Sequence, residues 1–149
     1  MRKGVQMRRT RSERGMSEAV EAALVLPAAM LLVGVVIVGA GHALAQQAVT
    51  AAANRAARAA SLARNPVDAE QAAREAADTD LGSAPITCTE ASVTINASGL
   101  TAPPGTRATV TVAVSCRASF PVALPGLPRS RVFSAEGRSP VDTYRGRGG

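Results

Sequence analysis

The fold of this chain is decided at one stretch, Glu13-Arg14-Gly15-Met16-Ser17-Glu18-Ala19-Val20-Glu21, which leads straight into a run without charged residues at 22–41. A helix of this length extends about 30 Å, which matches the hydrocarbon core of a bilayer. The run therefore predicts one transmembrane helix. Two carboxylates, Glu18 and Glu21, stand at or inside its leading edge, where an ionised group is costly.

The net positive charge of the chain is concentrated before the apolar run. Positions 1–15 carry six cations and one anion, so they account for five of the six net positive charges. The positive-inside rule then places the N-terminus in the cytoplasm and everything after about residue 45 outside. A nucleic-acid-binding domain would instead need a basic face interleaved with aromatic or polar readers. We therefore expect a single-pass protein of the cytoplasmic membrane with an extracytoplasmic C-terminal part and no nucleic-acid partner.

The apolar run continues into a helix of different composition. Residues 42–64 are nearly all Ala, Gln, Leu and Arg, which favour helix, so we predict one long helix at 16–64 with its transmembrane part at about 22–41. Pro27 removes one backbone hydrogen bond inside it, which membrane helices tolerate. Asn65-Pro66 ends this helix and begins a second, predicted at 65–82. Residues 1–15 form a basic cytoplasmic leader.

Beyond residue 83 the apolar period changes from about 3.6 to 2. Val93 and Ile95 share one face of a predicted strand, and Val110, Val112 and Val114 share one face of another. The segment between them, 98–106, is rich in Gly and Pro and is typical of a hairpin loop. We predict a small β module at 83–135, with a third strand near 131–135, and a flexible tail at 136–149.

The chain has two cysteines, Cys88 and Cys116, both in the predicted outer part. An isolated pair in an oxidising compartment predicts a disulfide. Two free structural thiols are the alternative, and no nearby histidine supports a zinc site. If the two cysteines face each other, Ala97 faces Arg107 and the hairpin loop matches the one expected from composition. The expected fold class is α+β: a long N-terminal transmembrane helix extended outside the membrane, a short second helix and a disulfide-tied β-hairpin module.

The sequence contains no pattern typical of catalysis. Its only histidine, His42, follows the apolar run and is interpreted as a polar residue at the outer lipid boundary. The chain has no GxSxG, no HExxH and no glycine-rich phosphate loop. Asp78 and Asp80 are interpreted as a solvated helix cap rather than metal ligands. We therefore expect a non-enzymatic protein without metal, cofactor or small-molecule substrate.

Two residues around the start of the apolar run have two interpretations each. Gly15 is either a flexible join before a signal-anchor helix or part of a recognition site for a membrane aspartyl prepilin peptidase. Glu21 either offsets the helix dipole or pairs in the apolar layer with a cation of a neighbouring subunit. Removal of a secretory signal near 43–45 is a further alternative, although the apolar run exceeds the usual length for one.

One family shows this order of motifs. Arg14-Gly15 followed by Val20-Glu21-Ala22-Ala23-Leu24-Val25-Leu26-Pro27 resembles the start of the TadE-like family, minor pseudopilins of tight-adherence or Flp-type pilus systems, and the resemblance covers residues 11–64. It implies that Gly15 precedes a processing cut and that Glu21 is the assembly glutamate. The spacing departs from the family, in which the glutamate usually follows the glycine by five residues rather than six. Cleavage after Met16 and an uncleaved signal anchor therefore both stay open.

The resemblance implies a role in assembling a surface pilus rather than catalysis. The implied partners are membrane lipid, a major pilin, a sister pseudopilin, a platform membrane protein and a prepilin peptidase. The sequence thus predicts a non-enzymatic, membrane-anchored, pseudopilin-like protein. The alternative from another class is a signal-anchored envelope binding module unrelated to pili.

Overall fold

The computed structural model describes residues 6–120, 126 and 128–142, with side chains from Val20 onward, and divides the chain into one unit up to Gly39 and a second from Ala40. Two helices are followed by three strands with a short 3-10 turn between the first two, which confirms the α+β class. In chain order the elements are α1 (Gln6–Leu62), α2 (Pro66–Ser83), β1 (Thr87–Asn96), a 3-10 turn (Ser98–Thr101), β2 (Ala108–Ser119) and β3 (Ser130–Val141).

Helix α1 passes through both units, as the composition of residues 22–64 predicts. It begins at Gln6, ten residues before the predicted start at Met16, so that predicted start is wrong. Residues 6–15 contain no proline, and their Arg, Gln and Met side chains are good helix formers that extend the helix towards the N-terminus. Pro27 lies inside the helix, and the helix ends at Leu62, just before Asn65-Pro66.

In the first unit, α1 presents large apolar side chains to its surroundings on every face. By length and composition it is suited to cross a membrane, and it is the one such helix among the described residues. Its exposed large side chains are Val20, Leu24, Val25, Leu26, Met30, Leu31, Leu32, Val33, Val35, Val36 and Ile37.

In the second unit, the same helix turns small side chains towards a core. Its fully buried residues recur at helical spacing along one face: Ala45, Val49, Ala52, Ala53, Ala56, Ala57 and Ala60. Helix α2 adds a similar face, since Ala69, Ala73, Ala77 and Leu81 are buried. Asn65 caps α2, because its side-chain oxygen accepts a hydrogen bond of 2.8 Å from the backbone N–H of Asp68.

The three strands form one antiparallel sheet in the order β1-β2-β3. The third strand is twelve residues long, so residues 136–141, predicted to belong to the tail, are instead the second half of β3. Gly137 and Ser139 in that half are small and give no apolar signal, and Pro140 is tolerated because β3 is an edge strand. The predicted tail from residue 143 lies outside the described residues.

The predicted register of the hairpin is wrong, because β1 contains a bulge. Cys88 lies opposite Ala118 rather than Cys116, Cys116 lies opposite Ala91, and the register shifts between Cys88 and Glu90. Cys88 and the apolar pair Val93 and Ile95 differ in parity, so a regular strand would place them on opposite faces. One extra residue lets all three point towards the core side.

The core is thin because α1 lies close against the sheet. A Cβ built on Gly137 of β3 would lie 2.1 Å from the carbonyl oxygen of Ala53, so only glycine fits there. Next to this contact, the Ser139 hydroxyl donates a buried hydrogen bond of 2.9 Å to the Ser61 hydroxyl. The sheet contributes Val110, Val112, Val114, Cys116 and Ala118, all at most 1% exposed. Small residues on both surfaces therefore set the distance between helix and sheet.

Candidate functional site

Glu21, the candidate assembly residue, lies in the first unit on α1. Its side chain is exposed, and none of the ion pairs among the described residues includes it. A carboxylate that loses its water in lipid must gain a cation or hydrogen-bond donors, or its charged form becomes unfavourable. Among the residues whose side chains are described, from Val20 onward, no cation pairs with Glu21.

Gly15 and Met16, the candidate processing residues, lie in the helical backbone of α1. Six residues separate Gly15 from Glu21, which corresponds to about 9 Å along the axis and roughly 240° around it. Met16 and Glu21 are about 140° apart by the same geometry. The structure thus carries these three residues on one helix but not on one face, and cleavage stays a prediction.

The predicted disulfide is confirmed. Cys88 and Cys116 are bonded, with their Cα atoms 5.6 Å apart and a sequence separation of 28. The bond is diagonal across β1 and β2, because Cys88 lies opposite Ala118, two positions from Cys116. Cys116 is fully buried beneath α1 and α2, so the bond joins the start of β1 to the core.

The sequence interpretation of His42 missed an aromatic cluster in the second unit. The imidazole stacks on the ring of Phe120, with centroids 5.0 Å apart and an angle of 5° between the planes. Phe133 meets the imidazole edge-on at 5.2 Å and lies 6.2 Å from Phe120. Arg131 places Nη1 3.2 Å from Nε2 of His42. Both phenylalanines of this aromatic-poor chain belong to the cluster, Phe120 directly after β2 and Phe133 in the first half of β3.

Asp80 also differs from its interpretation as a solvated cap. Its side chain is only 12% exposed, and Oδ1 accepts a charge-assisted hydrogen bond of 2.7 Å from Arg55 of α1. The pair lines a surface groove of about 280 Å³ that also includes Leu44 and Pro85. Among the described residues no group of three or more His, Cys, Asp or Glu side chains converges on a metal-sized space. The groove therefore holds the ion pair between Arg55 and Asp80.

The comparisons with known proteins bear on α1. Residues 16–58 match the family of TadE-like proteins. This confirms the resemblance inferred from the motif, and the family is pilus-associated and non-enzymatic. The TadE-like segment contains Met16, Glu21, the apolar run and most of the small-residue face of α1, and it ends before α2 and the sheet. No curated protein and no solved structure shows significant similarity to the chain.

Proposed function

We propose that this protein is a single-pass, pseudopilin-like component that takes part in assembling a tight-adherence pilus. The observation that carries the proposal is the TadE-like segment at 16–58, which unites the membrane-spanning run with Glu21. The exposure of large apolar side chains on every face of α1 supports it, because such a helix has its whole circumference available for lipid and for neighbouring helices.

The proposed topology has the N-terminus in the cytoplasm and the disulfide-bonded module outside. It is supported by the six cations before the apolar run and by the disulfide, which persists in oxidising compartments. Protease added to spheroplasts should digest the part after residue 45 and spare a tag on the N-terminus. Digestion of the N-terminal tag alone would show that the orientation is reversed.

In this proposal Glu21 acts during assembly rather than in folding. Its carboxylate pairs with a cation of a neighbouring subunit in the membrane, so that only the correct register of the two helices compensates the charge. Removing the carboxylate then abolishes the pairing but makes insertion no harder, since it deletes a charge at the edge of the apolar run.

Co-purification from membranes tests this role. We expect Glu21→Ala to insert normally, as judged by resistance to alkaline extraction, but to lose the major pilin, sister pseudopilin or platform protein by about tenfold, equivalent to ~1.4 kcal/mol. Glu18→Ala is the matched control, one turn nearer the cytoplasm, and should retain its partners. Unchanged recovery of partners with Glu21→Ala would return this residue to a helix-dipole role.

Processing by a prepilin peptidase is a separate part of the proposal. By match to the motif, the cut follows Gly15, and the irregular spacing to Glu21 makes a cut after Met16 the alternative. Mass spectrometry of the protein extracted from membranes should find Met16 or Ser17 as the N-terminal residue. A protein that still begins at Met1 would be an uncleaved signal anchor, with the assembly role of Glu21 tested independently by co-purification.

A further inference from the structure

The aromatic cluster of the second unit lies at a defined place along α1. His42 directly follows the apolar run, and its neighbour Gly41 also meets Phe120, whose ring would lie 3.5 Å from a Cβ built on that glycine. The rings of Phe120 and Phe133 thus pack on the turn of α1 at which the apolar run ends. The end of β2 and the start of β3 therefore lie beside the residues that directly follow the apolar run.

Two arginines, Arg129 and Arg131, lie near this turn of α1, and neither pairs with a described carboxylate. Arg129 and Arg131 are exposed, and neither forms an ion pair with any described residue. Four other arginines of the same unit pair with a carboxylate (Arg55, Arg74, Arg117 and Arg138), whereas Arg58, Arg64 and Arg107 form no ion pair among the described residues. The membrane-adjacent end of the module therefore presents two uncompensated positive charges beside its aromatic rings.

The contact between Arg131 and His42 orients the guanidinium without cancelling its charge. A guanidinium has only donors, so Nη1 of Arg131 donates and Nε2 of His42 accepts. The remaining four N–H groups of the guanidinium form a planar fork that matches two oxygens of a phosphate. A carboxylate in the place of His42 would instead have neutralised the positive charge of Arg131.

We propose that Arg129 and Arg131, with His42 as the positioning residue, form a binding site for the phosphate of an anionic phospholipid headgroup. The lipid belongs to the leaflet from which α1 emerges after Gly41. Complementary charge and location both favour this ligand, because the site lies where the apolar run ends and phosphates are concentrated. The proposal rests on membrane insertion of α1 and not on a role in pilus assembly.

A lipid titration of the full chain in detergent micelles tests the site. The sequence has no tryptophan, so Phe120→Trp introduces a single fluorophore at the site and keeps an aromatic ring stacked on His42. Phosphatidylglycerol should change its fluorescence in a saturable manner, whereas phosphatidylcholine and free glycerol phosphate at the same concentration should not. An equal response to phosphatidylcholine would overturn the charge argument, and an equal response to free glycerol phosphate would overturn the assignment to lipid.

Variants of the same tryptophan-containing protein identify the residues that bind the lipid. Each of Arg129→Gln and Arg131→Gln should raise the half-saturating phosphatidylglycerol concentration by roughly fivefold. His42→Phe preserves ring stacking but removes the acceptor, and should give a smaller increase than Arg131→Gln. The charge-matched control is Arg64→Gln with Arg107→Gln, which removes two exposed cations from the opposite end of the module and should change the value by less than about twofold. A double Arg129/Arg131 variant that binds like the parent would overturn the site, provided that its disulfide and circular dichroism are unchanged.

Discussion

The two parts of helix α1 carry side chains suited to two different surroundings, lipid and water. Before Gly39 its side chains are large and exposed, as with Leu31 at 67%, whereas after Ala40 its inward face is small and fully buried, as with Ala53 at 0%. In lipid an exposed leucine costs nothing, so bulky side chains on every face are favourable. In water the helix must bury one face, and alanine brings it close to the sheet.

The two parts also depend on different sources of stability. The first unit is suited to a bilayer, because its described residues bury almost none of their apolar side chains. The second unit has its own core, but that core consists mainly of alanine and valine and buries little area for each residue. The disulfide and a few close backbone contacts must therefore contribute a large share of its stability.

Removing the disulfide should have the largest effect on stability. It should destabilise the second unit but leave the membrane insertion of the first unit unchanged. Replacing Cys88 and Cys116 by serine is expected to lower the free energy of unfolding of the second unit by about 3–4 kcal/mol. Pulse proteolysis of the full chain in urea should show a midpoint lower by roughly 3 M, at an m value of about 1 kcal/mol/M.

Membrane insertion provides the control for that experiment. The double serine variant should remain in the membrane pellet after alkaline extraction, because α1 needs no disulfide to span the bilayer. The parent protein should also resist maleimide until it is reduced. Labelling of both thiols before reduction would show that the bond is absent in the cell envelope.

The close approach of α1 to β3 can be tested at Gly137. Gly137→Ala places a methyl group on the carbonyl oxygen of Ala53, so we expect a loss of about 3 kcal/mol in the free energy of unfolding. Gly82→Ala is the control, since no atom lies within 4 Å of its added Cβ and it occupies a helix. The free energy of unfolding of that control variant should increase by about 0.5–1 kcal/mol. Equal stability of the two variants would contradict the observed distance between helix and sheet.

A pair of truncations on α1 measures the contrast between its two parts directly. Val49→Ala removes two methyl groups from a fully buried position and should cost about 2 kcal/mol in the stability of the second unit. Leu31→Ala removes a larger apolar group from the exposed part and should leave the same unfolding midpoint within about 0.5 kcal/mol. A comparable loss from both truncations would mean that the first unit contributes to folding of the module.

Much of the fold follows from local patterns in the sequence. The continuous long helix, the break at Asn65-Pro66, the alternating strands and the disulfide all rest on features within a few residues or on compartment chemistry. The start of α1 was misplaced, since the charges of the leader indicate solvation but do not prevent helix formation. The second half of β3 was missed because a glycine and a serine facing a helix backbone leave no apolar signature.

The sequence by itself determined the order and type of the helices and strands but not all of their bounds, and it also determined which segment suits lipid and which cysteines pair, because length, period and charge act locally. Only the tertiary structure decided the bulge at Thr89, the contact of Gly137 with Ala53 and the meeting of His42 with Phe120 and Arg131. These features join residues about 80 positions apart or depend on strand register, which is fixed by packing on the helix rather than by the strand's own residues.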